Sequence, residues 1–312
     1  MLLALLVAGS AMRLTDSGAA VDRPMATLHE MVRAVNAGEA AAYASRYAED
    51  AVITIHGGDT LRGRSAIEAY EKDLLREFPG TRFAFYDVWR KGPQAVVHYG
   101  VNGRATSGRA MGHEGLLFYE FDPSGLITDE RRFLDSLTPM AQLGLLGPGP
   151  PPARALPTLP TEMAVHIAGA AVESRNAMLV KTVLAALDSG DGTTFLAAFA
   201  EDAVLDDLSE PGPSAGRANV KAWFDRWKHA AAGAKTTNIR LVAVGDDVLA
   251  ETLVIGRLQA PLGRLRPSDR PFAVHRAAIV QVRNDRIARL TFFMNTKELA
   301  EDVGQWPPSA AK

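Results

Sequence analysis

Cysteine is absent from the 312-residue chain. That removes disulfides, thiolate nucleophiles, zinc–thiolate sites and iron–sulfur clusters together. The compartment stays open, because reducing and oxidising locations both tolerate a chain without thiols. A basic face is missing too: the formal net charge is −2 and the arginines are spread along the chain. Nucleic acid calls for clustered cations that release counterions, so it is not an expected partner. No apolar run approaches the ~20 residues that span a bilayer, so membrane insertion is not expected either. A phosphate-cradling glycine loop, a His-Glu-x-x-His zinc site and a nucleophile elbow are all lacking. The seven histidines show no metal-ligand spacing, and no cofactor is expected.

What is present is a repeat. Tyr47-Ala48-Glu49-Asp50-Ala51-Val52 returns as Phe199-Ala200-Glu201-Asp202-Ala203-Val204, and Gly38-Glu39 as Gly190-Asp191. Gly63-Arg64-Ser65-Ala66-Ile67 is answered by Gly216-Arg217-Ala218-Asn219-Val220. Self-similarity over a domain-sized period means one fold written twice. The expected division is an apolar lead-in over 1–22, a first domain over 23–146, a proline-rich linker and helix start over 147–172, a second domain over 173–306 and a tail over 307–312. Residues 1–12 fit the apolar core and small-residue end of a signal peptide, but no Lys or Arg comes before Arg13 to form its basic region. Cytoplasmic placement therefore ranks first, with a secreted or periplasmic one as the alternative.

Each repeat reads as helices followed by a meander of strands, an α+β order. Thr27 with Glu30 fits a capping box for a helix that Gly38 interrupts. Ser65 is placed to cap a second helix. Strands are expected at Ala51–Ile55, Arg82–Arg90, Gln94–Asn102, Met111–Phe121 and Leu126–Asp135, with Asp122-Pro123-Ser124-Gly125 as a turn. Beyond the linker, Thr161 is placed to cap a helix towards Leu187. Strands follow at Asn238–Val244, Val248–Leu258, Phe272–Val282 and Ile287–Met294, and His275 falls where His113 falls.

Glycine-acidic, then aromatic-Ala-Glu-Asp-Ala-Val, then Gly-Arg before a helix, then a four-stranded meander resembles the nuclear transport factor 2-like superfamily. The first repeat, with Asp129-Glu130-Arg131-Arg132-Phe133-Leu134-Asp135, is most similar to its SnoaL-like polyketide cyclases. The resemblance runs from Ala26 to Gly304, twice. It implies two tandem cone-shaped α+β barrels, each a curved antiparallel sheet wrapped round N-terminal helices, packed as an intramolecular pseudo-dimer that is a monomer in solution. It also implies a pocket for a small hydrophobic molecule. The function it implies is a cofactor-independent cyclase or isomerase acting on a carbonyl compound, with a non-catalytic binding protein as the alternative.

Asp135 aligns with the acid/base carboxylate of those cyclases, and an apolar cavity would raise its pKa. Its alternative is a strand-end aspartate capping the helix near Thr138. Strand alternation puts His113, Leu117, Tyr119 and Phe121 on the less charged face, and hence towards the pocket. There His113 could hydrogen-bond an enolate oxygen. Tyr99 is expected in the pocket wall, Phe133 is a wall candidate, His56 belongs near the mouth, and His98 on the surface. Tyr43 and Tyr47 read as part of the cavity-lining helix, with core packing as the alternative. Arg131 shares the parity of Asp129 and Asp135, so an inward face there would bring a guanidinium into the pocket. Asn295 stands where Asp135 stands. An amide exchanges no proton near neutral pH, so the second domain is expected to support the first rather than repeat its chemistry.

Overall fold

A computed structural model describes residues 22–146, 154–263 and 265–306. The apolar N-terminal segment with its signal-peptide reading, the centre of the proline-rich linker and the tail lie outside the described residues. In the first domain, α1 (Arg23–Ala37) and α2 (Ala40–Ala44) precede β1 (Tyr47–Ile55), β2 (Thr60–Arg62) and α3 (Arg64–Glu77). The meander β3 (Arg82–Lys91), β4 (Gln94–Arg104), β5 (Ala110–Phe121) and β6 (Ile127–Leu134) follows, then α4 (Leu137–Gln142). After the linker come β7 (Ala164–Ile167), α5 (Glu173–Ser189), α6 (Gly192–Ala197), β8 (Phe199–Asp207), β9 (Ser214–Ala215) and α7 (Arg217–Ala230). The second meander is β10 (Lys235–Val244), β11 (Asp247–Arg257), β12 (Pro271–Arg283) and β13 (Arg286–Met294), closed by α8 (Thr296–Asp302).

Local chemistry sets these elements. Asp22, not Thr27, caps α1 by accepting the Met25 amide, and Thr27 instead donates to the Gly125 carbonyl. Leu28, Met31 and Val35 recur at helical spacing and are buried. Gly38 and Gly190 end α1 and α5 at φ 74° and 78°, the left-handed cap that glycine adopts without strain. Gly63, rather than Ser65, precedes α3. The repeated Gly-Arg pair has a clear use. Arg64 donates to the Tyr47 carbonyl and pairs with Glu49 at 2.5 Å, as Arg217 does with the Phe199 carbonyl and Glu201 at 2.5 Å. The helix start is thereby tied to the first strand in both copies.

The sheets depart from the expected antiparallel barrels in two respects. Both are mixed, because β1 lies parallel to β6 and β8 parallel to β13. Both are open, in the orders β2-β1-β6-β5-β4-β3-β7 and β10-β11-β12-β13-β8-β9. The helix expected from Thr161 gives way to β7, which pairs parallel with β3 and covers that edge of the first sheet before α5 begins. Tyr47 opens β1 rather than lying on a helix.

One face of each sheet packs on its own helices. The other faces its twin: Trp89, Val96, Leu116, Phe118 and Phe133 form one apolar cluster with Leu208, Val244, Leu249, Ala277, Ile279 and Phe293. Polar links frame it. Trp89 Nε1 donates to Asp247 at 2.8 Å and Arg131 Nε to Glu251 at 3.0 Å. No helix of the described residues is long and apolar enough to cross a membrane.

Candidate functional site

The first domain holds a cavity of about 450 Å³ between α2, α3 and the concave face of β4–β6. Its wall is largely apolar, with Val35, Ile55, Leu74, Leu75, Phe78, Phe83, Val101 and Leu117 contributing. Into it project Glu71 from α3, Glu130 and Arg132 from β6, Tyr43, Tyr70, Tyr99 and His113. Glu130 is fully buried and accepts from Tyr47 Oη and Arg132 Nε. Tyr43 Oη lies 2.7 Å from Tyr47 Oη and accepts from Arg132 Nη2 at 2.9 Å. A carboxylate and a guanidinium thus neutralise each other and are both hydrogen-bonded, the condition for burying charge without a large penalty. Burial, the largest single cause, would lower the Arg132 pKa, but Glu130 together with Tyr43, Tyr47 and Tyr70 outweighs it and the net shift is upward. Burial raises the pKa values of Tyr43 and Tyr47 well above the phenol range, so both hydroxyls stay protonated.

Glu71 differs from Glu130. It is 6 % exposed, and no hydrogen bond to its carboxyl is found among the described residues. Burial raises its pKa, Arg132 pulls it partly back, and Glu130 adds to the rise. It is a carboxyl near an apolar space with its proton affinity raised towards working pH. His113 stands edge-on to Tyr99 at 5.7 Å, and burial brings its pKa down to about 4. It is therefore a neutral imidazole at pH 7, and its Nδ1 has no partner among the described residues.

Of the residues singled out in the sequence, His113 and Tyr99 line this cavity and Tyr47 lies one hydrogen bond behind it. Tyr119 is core, with its hydroxyl buried and without a partner among the described residues. The others lie elsewhere. Phe133 is in the interdomain cluster and Arg131 is bonded to Glu251 of the second domain. His98 is half-buried against Glu114 and Phe293 rather than on the surface. His56 stacks on His275 at 3.9 Å across the domain junction, and burial and His275 bring its pKa down to about 3. His56, His275 and Glu298 come close enough to suggest a cation site. The two imidazoles lie nearly parallel, at 22°, so their in-plane lone pairs do not converge on one ion.

Asp135 is not among the cavity residues. It caps α4 by accepting from the Thr138 amide at 3.0 Å and hydroxyl at 2.8 Å. It also accepts from the Thr296 amide at 3.2 Å and from the Thr296 hydroxyl, across the domain boundary. Burial raises its pKa, as expected, while the threonine bonds oppose the rise. Asn295 does the reciprocal: it caps α8 through Lys297 and donates to Ser136 Oγ at 3.0 Å and the His56 carbonyl at 2.8 Å. The two positions match structurally, and both join the domains.

The parity of β6 explains these misplacements. Both faces of the strand are covered, one by the cavity and one by the second domain, so alternation alone could not say which was inward. Charge gave no signal either: Asp129 with Arg131 and Glu130 with Arg132 are acid–arginine pairs two apart, one on each face, and both pair in the structure. The register also moves His275. Gly115 pairs with Tyr99 and Leu134, and Arg276 with Thr252 and Met294. Arg276 therefore stands where Gly115 stands, and His275 matches Glu114 rather than His113.

A deep, mostly apolar cavity with a few converging polar groups, framed by helices and a curved sheet, defines a small-molecule-pocket protein. The chain belongs to the SnoaL-like domain family, whose model matches it twice, over residues 28–130 and 180–290. No curated protein matches the chain. Among solved structures it is similar to a protein assigned as a polyketide cyclase from Xanthomonas campestris pv. campestris, at 26% identity over 42% of this chain and 98% of that one, TM-score 0.40. A second such protein, from Pseudomonas putida KT2440, is 24% identical over 41% of this chain and 97% of that one, TM-score 0.39. A SnoaL-like one from Jannaschia sp. CCS1 is 13% identical over 45% and 98%, TM-score 0.41.

Proposed function

We propose that the first domain binds a small, mainly apolar carbonyl compound and moves a proton next to its carbonyl, in a reaction of cyclase or isomerase type. Glu71 is the base, in place of Asp135. The observation that carries this is a carboxyl at the wall of an apolar cavity, free of hydrogen bonds to the described residues and raised in pKa by burial. In the reaction, Glu71 takes the proton from the carbon α to the carbonyl. The C–H electron pair moves into an enolate, and donors on the wall stabilise its oxygen. Tyr70, Tyr99 and neutral His113, all on the cavity wall, are the proposed donors. The protonated Glu71 then returns the proton, at the same carbon or at one conjugated with it. Arg132, held by Glu130 and Tyr43, opposes the rise that burial imposes on the Glu71 pKa.

The test uses 2-tetralone, an apolar ketone with acidic α-hydrogens, and follows its α-deuterium exchange by NMR. The chain should accelerate exchange, and Glu71→Gln should slow it by about 10²-fold or more with little change in affinity. An unchanged rate rules Glu71 out as the base. A binding protein without turnover is the second reading. It is favoured by the closure of the Tyr43–Tyr47–Glu130–Arg132 network on itself, and it expects affinity without exchange.

A further inference from the structure

The second domain has its own cavity, of about 320 Å³, and its polar anchor is unlike that of the first. Arg276, on β12, reaches this cavity and is 3 % exposed. Its guanidinium lies over the Phe292 ring at 4.8 Å and the Trp227 ring at 5.7 Å. Its Nη2 is buried and has no hydrogen-bond partner among the described residues. The acids around it are engaged elsewhere. Asp207 accepts from Ser209 and Trp223, Asp188 from Thr236, and Asp135 from Thr138 and Thr296. Glu210 faces Arg226 at 3.3 Å in half-exposed surroundings. Burial brings the Arg276 pKa down to about 10, which leaves it a cation at pH 7.

A buried guanidinium with an unfilled donor is costly unless something answers it. Aromatic faces answer part of the charge but not the N–H. The first domain shows that this cation is a departure from the shared plan. Its own guanidinium, Arg132, is matched by Phe292 here, and Glu130 by Leu290, since Arg132 pairs with Ile55 as Phe292 does with Asp207. At the position of Arg276 the first domain has Gly115, where a Cβ would meet the Tyr99 ring at 2.4 Å. The second domain has Thr252 opposite instead, and the space that Tyr99 fills is open to the Arg276 side chain. The cation has moved one strand over and lost its carboxylate. One side of the wall is aromatic: Trp223 stacks with Trp227 at 4° and with Phe292 at 18°, while Leu262, Leu265 and Leu299 add aliphatic surface and the bonded acids Asp135, Asp207 and Glu210 border it.

We propose that this second cavity binds a small planar aromatic carboxylate, its anionic group on the Arg276 fork and its ring against Trp223, Trp227 and Phe292. A carboxylate supplies the planar acceptor pair that a guanidinium fork matches. The second domain is then a binding site in its own right, anchored by a guanidinium with an unfilled donor, whereas the guanidinium of the first cavity, Arg132, is already bonded to Glu130.

The test is calorimetric titration of the full chain with 2-naphthoate and with its neutral isostere 2-naphthalenemethanol. The expected result is one naphthoate site per chain, at least tenfold tighter than the alcohol and quenching tryptophan fluorescence. Arg276→Met, an apolar replacement of similar length, should reduce naphthoate affinity at least tenfold. Its thermal midpoint should equal or exceed that of the parent, because an uncompensated buried charge is gone. Glu71→Gln should leave naphthoate binding intact, which separates this site from the proton-transfer reading. Equal affinity for acid and alcohol, or naphthoate binding that survives Arg276→Met, overturns the proposal.

Discussion

Asp135 and Asn295 end equivalent strands, and their difference in sequence is smaller in consequence than it looks. Each caps the short helix that follows and reaches a backbone or hydroxyl group of the other domain. An aspartate serves better where amide and hydroxyl donors converge, because it accepts on both oxygens. An asparagine serves where one contact, to the His56 carbonyl, requires a donor. Asp135→Ala should therefore cost about 1–3 kcal/mol of stability in urea unfolding, from a lost cap and unpaired donors. It should leave proton exchange on 2-tetralone unchanged. Lost exchange at unchanged stability would restore Asp135 to the chemistry. His113 was legible as a pocket residue because β5 carries one more charged and one more apolar face, and Tyr99 because it shares a face of β4 with Val97 and Val101. Glu71 was not, because a lone glutamate on an amphipathic helix looks solvated until the sheet is folded over it.

At the scale of elements, the two meanders share register while the side chains between the strands differ. Tyr99 against Gly115 in the first sheet is replaced by Thr252 against Arg276 in the second. The ring of Tyr99 occupies what a Cβ at Gly115 would need. Gly115→Ala should thus destabilise the first domain by about 1–3 kcal/mol through overpacking. Tyr99→Thr should recover part of that loss in the double variant, read by a double-mutant cycle in thermal or urea unfolding. Additive effects would mean that the ring moves aside freely. Strand existence and most strand ends were readable from β-branched runs and turn residues. The parallel β1–β6 and β3–β7 pairings were not, because partners so far apart in sequence leave no local signal.

Across the whole molecule, each cavity borrows from the other domain: Lys297 borders the first, and Asp135, Leu137 and Thr138 border the second. The apolar faces that meet at Trp89, Phe118, Phe133, Ile279 and Phe293 are already covered within one chain. We propose that the protein is a monomer for that reason, and light scattering should give a mass near 33.4 kDa; a stable dimer would show that another face pairs. The sequence by itself determined the doubling, the α+β order, the strands and the family, because these rest on local propensity, turn chemistry and a repeated pattern. Only the tertiary structure decided which face of β6 is inward, that Asp135 joins domains, and that Glu71 and Arg276 sit in cavities. Those facts depend on what packs against a face, and two covered faces read alike in one dimension.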